Sequence, residues 1–363
     1  MKIHTLIASF LIGVIAPLNG FGRTNTTVTI AGEDFHINDQ PTYTGRMWRD
    51  HRIEGLLLNS RMVQATFNDR NTNTVARWAY ADTGRWDADR NTREFIAAMP
   101  EWRRHGLLAV TINLQGGSPE GYSSSQPWEN SAFNPDGSLR TNDFARLEKI
   151  LDRADELGMI VMLGYFYFGQ DQRLVDEAAV IRATDDTTHW LLTHGWRNVL
   201  VEVNNECNVS YHHDILKPAR VPELIKRVQQ QKADGHRLLV STSYGGGAVP
   251  GTTVVAAADF LLLHGNGLNR PAAVAELVRK TRAMLTETKP ILINEDDHYD
   301  FDQPTNNFIA AVSEHASWGF FDFRRRGEGF AEGYQSVPVN WDLSSDRKRG
   351  FFRLLAEITG SKP

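Results

Sequence analysis

At 363 residues, with 41% hydrophobic and 23% charged side chains, the chain has ordinary globular composition and enough length to bury a large core. Its net charge of -5 and pI near 6.2 give no footing for nucleic acid or an anionic membrane surface as partner, which leaves a small molecule or a neutral polymer as the expected ligand. The single cysteine, Cys207, excludes an intrachain disulfide, so stability has to come from packing.

The chain opens with Lys2, an apolar run from Leu6 to Ile15 and a small-residue stretch Asn19-Gly20-Phe21-Gly22. That order predicts a signal peptide over residues 1–22, removed on export to a secreted or periplasmic destination, with 23–363 as one domain and no membrane association after processing. Alternation of Val28, Ile30, Phe35 and Ile37 around Gly32-Glu33 predicts a hairpin that plugs the bottom of a barrel.

From there one unit repeats: an apolar strand, a polar loop, an amphipathic helix and a closing glycine. Strand one is expected in Asn59 to Phe67, and the helix from Asn91 to His105 ends at Gly106. Strand two runs from Leu107 to Asn113. A long Gly/Ser/Pro loop precedes a stripe of Phe144, Leu147, Leu151, Ala154 and Leu157, stopped by Gly158. Strand three, Met159 to Tyr165, opens into aromatic residues, and a helix near Asp176 to Thr193 leads to strand four. Beyond it come a helix over Val221 to Lys232, strand five over Arg237 to Thr242, strand six over Phe260 to Leu263 and a helix started by Pro271. Strand seven over Ile291 to Ile293, a helix near Asn306 to His315, strand eight in Trp318 to Phe323 and a closing helix over Arg349 to Ile358 finish the count. Eight such alternations predict an α/β fold, a (β/α)8 TIM barrel in a single domain with an N-terminal β-hairpin.

Strand four is the most telling stretch. Asn198-Val-Leu-Val-Glu-Val-Asn-Asn-Glu206 is an apolar run that ends in amides and an acid, as expected of a buried parallel strand emerging at the C-terminal mouth where barrel chemistry sits. Strand seven repeats the design with Asn294-Glu295-Asp296-Asp297-His298, while strand six ends in His264-Gly265-Asn266 and strand eight begins at Trp318. Two carboxylates facing across one mouth suit glycoside hydrolysis, in which one acid protonates the leaving oxygen and the other, ionised, attacks or activates water. Schiff-base chemistry is disfavoured, because Lys149, Lys226, Lys232 and Lys280 fall on helices and Lys217 and Lys289 in connections. A metal centre is not expected: the cluster from Glu295 to His298 comes from one strand, and His212 and His213 are adjacent loop residues that seldom face one ion.

The Asn205-Glu206 pair ending strand four, Glu295 ending strand seven and Trp318 on strand eight together resemble clan A of the retaining glycoside hydrolases, family 5 cellulase-like enzymes in particular, from about Phe35 onward. The resemblance implies that Glu206 matches the general acid/base, Glu295 the nucleophile, Asn205 the residue that binds the sugar 2-hydroxyl and Trp318 the floor of the sugar site. His264, Asn266 and His298 are further expected substrate contacts, the expected substrate is a β-linked oligo- or polysaccharide, and no cofactor is required. Three positions depart from the family pattern. Cys207 stands where Pro is usual after the acid, Asn266 stands in place of the Tyr that commonly contacts the nucleophile, and strand two has no Arg, leaving Arg46 and Arg61 as candidates. His298 or Tyr299 could supply the missing contact to the nucleophile. Loop aromatics Trp48, Trp78, Tyr80, Trp86, Tyr122, Trp128, Tyr167, Tyr211 and Tyr244 are the pool from which sugar-stacking rings would come. A carbohydrate-binding barrel without turnover is the alternative. The catalytic reading predicts carboxyl groups of Glu206 and Glu295 roughly 5–5.5 Å apart.

Overall fold

Strand-forming runs of Val, Ile and Leu alternate with amphipathic helices along the chain, and the computed structural model, which describes residues 26–123 and 125–363, closes them into a (β/α)8 barrel. The expected leader over residues 1–22 lies outside the described residues. Among the described residues no helix is long and apolar enough to cross a membrane.

A three-stranded antiparallel sheet comes first, β1 (Val28–Ala31), β2 (Asp34–Ile37) and β3 (Gln40–Pro41), followed by a short hairpin of β4 (Met47–Trp48) and β5 (His51–Arg52). The barrel strands are β6 (Asn59–Arg61), β7 (Ala109–Asn113), β8 (Ile160–Phe166), β9 (Val199–Asn204), β10 (Leu239–Ser241), β11 (Leu261–His264), β12 (Ile291–Glu295) and β13 (Gly319–Phe320). They are followed in turn by α1 (Ala88–Arg104), α2 (Thr141–Glu156), α3 (Glu177–Thr193), α4 (Val221–Gln230), α5 (Thr252–Ala257), α6 (Pro271–Arg282), α7 (Asn307–Ser313) and α8 (Asp346–Thr359). Several helices start where a side chain supplies the first acceptor: Asp87, Asp176, Asn306 and Ser345 each accept from a backbone N–H three residues on.

Parallel pairing runs β10-β9-β8-β7-β6-β13, and single bridges from Leu292 to Ser317 and Asp296 to Phe320 join β13 to the β12-β11 pair. The ring closes between β10 and β11 by different means. Asp259, just before β11, donates its N–H to the Val240 carbonyl at 2.9 Å and accepts from the Val240 N–H at 2.9 Å through its side chain, and it takes both guanidinium ends of Arg237 at 2.8 Å.

Two apolar regions hold this arrangement. Helix faces pack on the outside of the strands, as shown by Phe95, Leu147, Val180, Leu224 and Phe351, all buried. Inside, Leu57, Ala109, Ile160, Met162, Leu200, Leu262 and Leu292 meet Val28 and Phe35 from the hairpin, so the hairpin plugs the N-terminal end as its alternation predicts. Full burial of Phe35, edge-on to Phe260, contributes roughly 1.5–3 kcal/mol on its own. Above this plug the interior turns polar, with Asn59, Arg61, Thr111, Asn113, Glu202, Ser243, His264 and Asn294 all buried.

Three details differ from the sequence expectation. Strand one stops at Arg61, because Val63–Thr66 coils into a 3-10 turn. Helix α5 has no counterpart in the sequence pattern; it has only six residues, four of them Thr or Val, and no side-chain cap. In strand eight Trp318 and Phe320 face the helices, whereas Gly319 faces in, close enough to Asn59 that a Cβ would lie 2.2 Å from its Oδ1.

Candidate active site

Strand β9 sends Val199, Val201 and Val203 outward to the helices and Leu200 and Glu202 inward, then releases Asn205 and Glu206 at the mouth. Glu206 takes a left-handed backbone, φ 52°, a conformation that costs a non-glycine residue on the order of 1–3 kcal/mol. It is held there from the next strand: the Glu206 N–H donates to Ser243 Oγ at 2.9 Å, and Ser243 Oγ donates in turn to Glu202 Oε1 at 2.5 Å. The Cys207 N–H donates to the Ser243 carbonyl at 2.9 Å. Cys207 itself is buried and its thiol is pushed up to about 12 by burial, the behaviour of a small core residue and not of a nucleophile.

Glu295 enters from β12. One oxygen of Glu206, one of Glu295 and a ring nitrogen of His264 all lie within 4.8 Å of one another. His264 is fully buried beneath the two acids, its Nδ1 3.0 Å from Glu206 Oε1 and 3.6 Å from Glu295 Oε2. On the other side, Arg61 Nε makes a 2.7 Å ionic contact with Glu295 Oε2, and Arg61 also donates from NH2 to Asn205 Oδ1 at 2.7 Å. NH1 of Arg61 lies 4.0 Å from Glu202 Oε2, so one guanidinium serves three acidic or amide neighbours while only 1% exposed. Glu202, although given no role from sequence, is the buried foundation of the group. Its visible signal is a lone charge inside a valine run, which burial tolerates only with partners.

Burial alone would raise the Glu206 pKa, but the His264 hydrogen bond and charge, with Arg61, override it and hold the carboxyl below its ordinary value. For His264 burial would lower the pKa, and Glu295 and Glu206 override that, leaving the imidazole raised. Burial raises Glu202 despite Arg61. These directions set a stability profile. The raised His264 contributes fully below its unfolded value of 6.5 and loses that contribution as pH rises through the folded value; the lowered Glu206 contributes above 4.5 and loses it as pH falls through its folded value. The difference in unfolding free energy between wild type and His264→Gln is therefore expected to be largest between pH 4.5 and 6.5 and to shrink in more alkaline buffer. A difference that stays flat as pH rises to about 9 would mean that the imidazole is neutral throughout.

The other anticipated residues sort differently. Asn266 donates Nδ2 to Glu295 Oε1 at 2.6 Å, so it supplies the contact to this acid that a Tyr makes in the family pattern. Its loop can come this close because Gly246 has no side chain: a Cβ there would lie 2.4 Å from the Asn266 carbonyl oxygen. The expectation that His298 or Tyr299 makes that contact is corrected, as is the placing of His298 on substrate. Both ring nitrogens of His298 are taken by protein, Nδ1 by Asp296 at 2.6 Å and Nε2 by Asn269 at 3.1 Å, and Tyr299 lies against Arg325 and Arg347.

Trp318 is not the floor of the cleft. It is fully buried, stacked on Phe308 at 4.7 Å, and its Nε1 donates to Asp296 Oδ2 at 3.0 Å. Strand parity makes Phe321 the inward aromatic at this strand end. Arg46 is also removed from consideration, since its Nε donates to the Ile358 carbonyl at the end of α8. Above Glu206 and Glu295 opens a cavity of ≈ 440 Å³ walled by Ser118, Tyr122, Tyr167, Phe168, Phe321 and Gln335. Of the nine loop aromatics in the stacking pool, Tyr122 and Tyr167 line it; Trp78 and Trp128 instead pack edge to face with one another in the core.

No protein-family model and no curated protein sequence matches the chain. Solved structures do. An endo-1,4-β-mannanase from Rhizomucor miehei superposes with a TM-score of 0.56 at 12% identity, over 93% of this chain and 100% of that one. A broad-specificity GH5-4 endoglucanase from Bacteroides salanitronis gives 0.55 at 11% identity, over 84% and 93%. A glycoside hydrolase family 5 structure from Bacteroides vulgatus gives 0.53 at 15% identity, over 91% and 70%, and this chain spans 62% of the length of a second structure from that organism. These likenesses show that the chain has the same (β/α)8 barrel fold.

Proposed function

We propose that the protein is a retaining O-glycosyl hydrolase acting on a β-linked oligo- or polysaccharide. The observation that carries this reading is the pair of carboxylates at one barrel mouth, one oxygen of each within 4.8 Å of the other, beneath an aromatic-walled cavity. That spacing suits direct attack on the anomeric carbon and leaves no room for the water that an inverting pair, roughly 6.5–9.5 Å apart, would need. Support from the neighbours lies in the barrels of the mannanase and endoglucanase named above, whose fold this chain shares.

In this reading Glu295, oriented by Arg61 and Asn266, is the nucleophile, and Glu206 is the acid/base. His264, 3.0 Å from Glu206, holds the proton that Glu206 must deliver to the leaving oxygen. Formation of the glycosyl ester on Glu295 removes a negative charge from the trio. That loss favours the ionised form of Glu206, which then takes a proton from the incoming water. In the same reading Asn205, whose Oδ1 accepts from Arg61 NH2, is the residue assigned to a sugar hydroxyl.

The test is hydrolysis of 4-nitrophenyl β-glycosides of glucose, mannose, galactose and xylose, with the first-formed product followed by proton NMR. Turnover giving the β-anomer first is expected. An α-anomer first would replace retention by inversion, and binding of β-linked oligosaccharides without any turnover would favour a non-catalytic carbohydrate-binding barrel.

A further inference from the structure

Segments that follow three different barrel strands are fastened to one another on the side of the cavity away from Glu206. After β7, the Pro119 carbonyl accepts from the Val337 N–H at 2.8 Å, and the Gly121 carbonyl accepts from Gln335 Nε2 at 3.5 Å; Val337 and Gln335 both belong to the long segment after β13. The Tyr122 ring stands edge-on to Phe321 at 5.7 Å and to Phe323 at 5.0 Å. Its hydroxyl donates to Asp297 Oδ2, after β12, at 3.2 Å. The backbone at Gly121 lies flush on Phe323, where a Cβ would come within 2.6 Å of the ring. These contacts pass over β6, the strand that lies between β7 and β13 in the barrel.

Resting on the glycosidase reading, we infer that this seam makes the site a blind pocket that takes the non-reducing end of a β-linked glycan, so the enzyme removes terminal sugars instead of cutting chain interiors. The direction comes from the chemistry. The scissile oxygen has to lie within reach of Glu206, after β9, and the anomeric carbon within reach of Glu295. The ring bearing that carbon therefore extends away from Glu206 into the space bounded by Ser118, Tyr122, Tyr167, Phe321 and Gln335. A glycan threaded through the site would have to leave between the β7 and β13 segments, and that exit is occupied by two hydrogen bonds and the Tyr122 ring. The ≈ 440 Å³ cavity also falls in the lower part of the roughly 300–1,000 Å³ range of ligand pockets, whereas a through-cleft must hold several consecutive sugars. The Ser118 hydroxyl and the Gln335 side chain line this part of the cavity, where hydrogen-bond groups can recognise the terminal hydroxyls that an interior sugar does not have.

The experiment uses the full-length chain and the sugar whose 4-nitrophenyl β-glycoside it cleaves fastest. The β-1,4-linked pentasaccharide of that sugar, carrying 2-aminobenzamide at its reducing end, is digested and sampled from the first minutes. Labelled products that shorten by one sugar at a time, with free monosaccharide from the start, are expected. Tyr122→Ala, which removes the ring and the Asp297 contact, is expected to raise the share of internal cuts by about tenfold, in line with the discrimination that pocket contacts provide. Should that variant not fold, the wild-type product pattern decides alone. Internal cleavage from the outset, giving labelled fragments of mixed length, would overturn the blind pocket while leaving the glycosidase reading intact. Absence of hydrolysis on every aryl glycoside would overturn that reading, and this inference with it.

Discussion

Replacing Glu295 with glutamine is expected to lower turnover of an activated aryl β-glycoside by on the order of 10⁴-fold or more, because an amide cannot form the ester intermediate. The change is nearly isosteric and leaves Asn266 and Arg61 in place, so circular dichroism and melting should show a folded protein. The companion variant separates the roles. Glu206→Ala should lose most activity on substrates with poor leaving groups and far less on 4-nitrophenyl glycosides, whose departure needs no proton. Azide should then restore turnover and give a glycosyl azide of the substrate's own configuration, since it attacks the ester formed on Glu295. Azide product from Glu295→Ala should have the opposite configuration. If the configurations are exchanged, the two glutamates have exchanged roles; if both variants keep wild-type rates on all substrates, neither is catalytic.

The second large effect is expected at Arg61. Its guanidinium is 1% exposed and lies against Glu295, Glu202 and Asn205, so Arg61→Met leaves two buried carboxylates without their counter-ion. Breaking one side of a buried pair should cost roughly 3–5 kcal/mol in unfolding free energy, measured by urea titration. Arg61→Lys should recover only part of it, because a single ammonium cannot reach both Glu295 and Asn205 as the planar fork does. Adding Glu202→Gln to Arg61→Met should return some of the loss, a coupling that a double-mutant cycle reads directly. A loss under about 1 kcal/mol for Arg61→Met would mean that the carboxylates are hydrated or protonated in the folded state.

Why some of this is legible in sequence and some is not comes down to what each residue borders. The barrel shows itself because every unit carries an apolar strand, a helix with one apolar stripe and a terminating glycine. Glu206 and Glu295 show themselves because each follows an aliphatic strand run that gives way to amides and acids, the pattern expected where a strand emerges at the mouth of the barrel. Strand eight points to the wrong inward face: Trp318, Phe320, Phe321 and Phe323 are apolar on both parities, so alternation contains no sign of which side is core. Sequence puts Asn266 on the substrate, although its amide lies on Glu295, since the close approach depends on Gly246 in another loop and nothing local encodes it. Arg61 is one of two candidates by sequence, and only the closure of β6 against β13 and β7, which turns its side chain inward between Glu295 and Asn205, separates it from Arg46.

On the glycosidase reading, the left-handed backbone at Glu206 means that the working sequence and the most stable sequence of this fold are not the same. Glycine fits that conformation without strain, and asparagine does so at less cost than glutamate. Any procedure that rewards stability alone, whether consensus averaging, directed evolution under heat or automated redesign, would drift toward one of them at position 206 and erase the acid on the way. An engineer raising the melting temperature of this barrel has to fix that residue by hand and look for gains elsewhere, for instance in the uncapped six-residue helix α5.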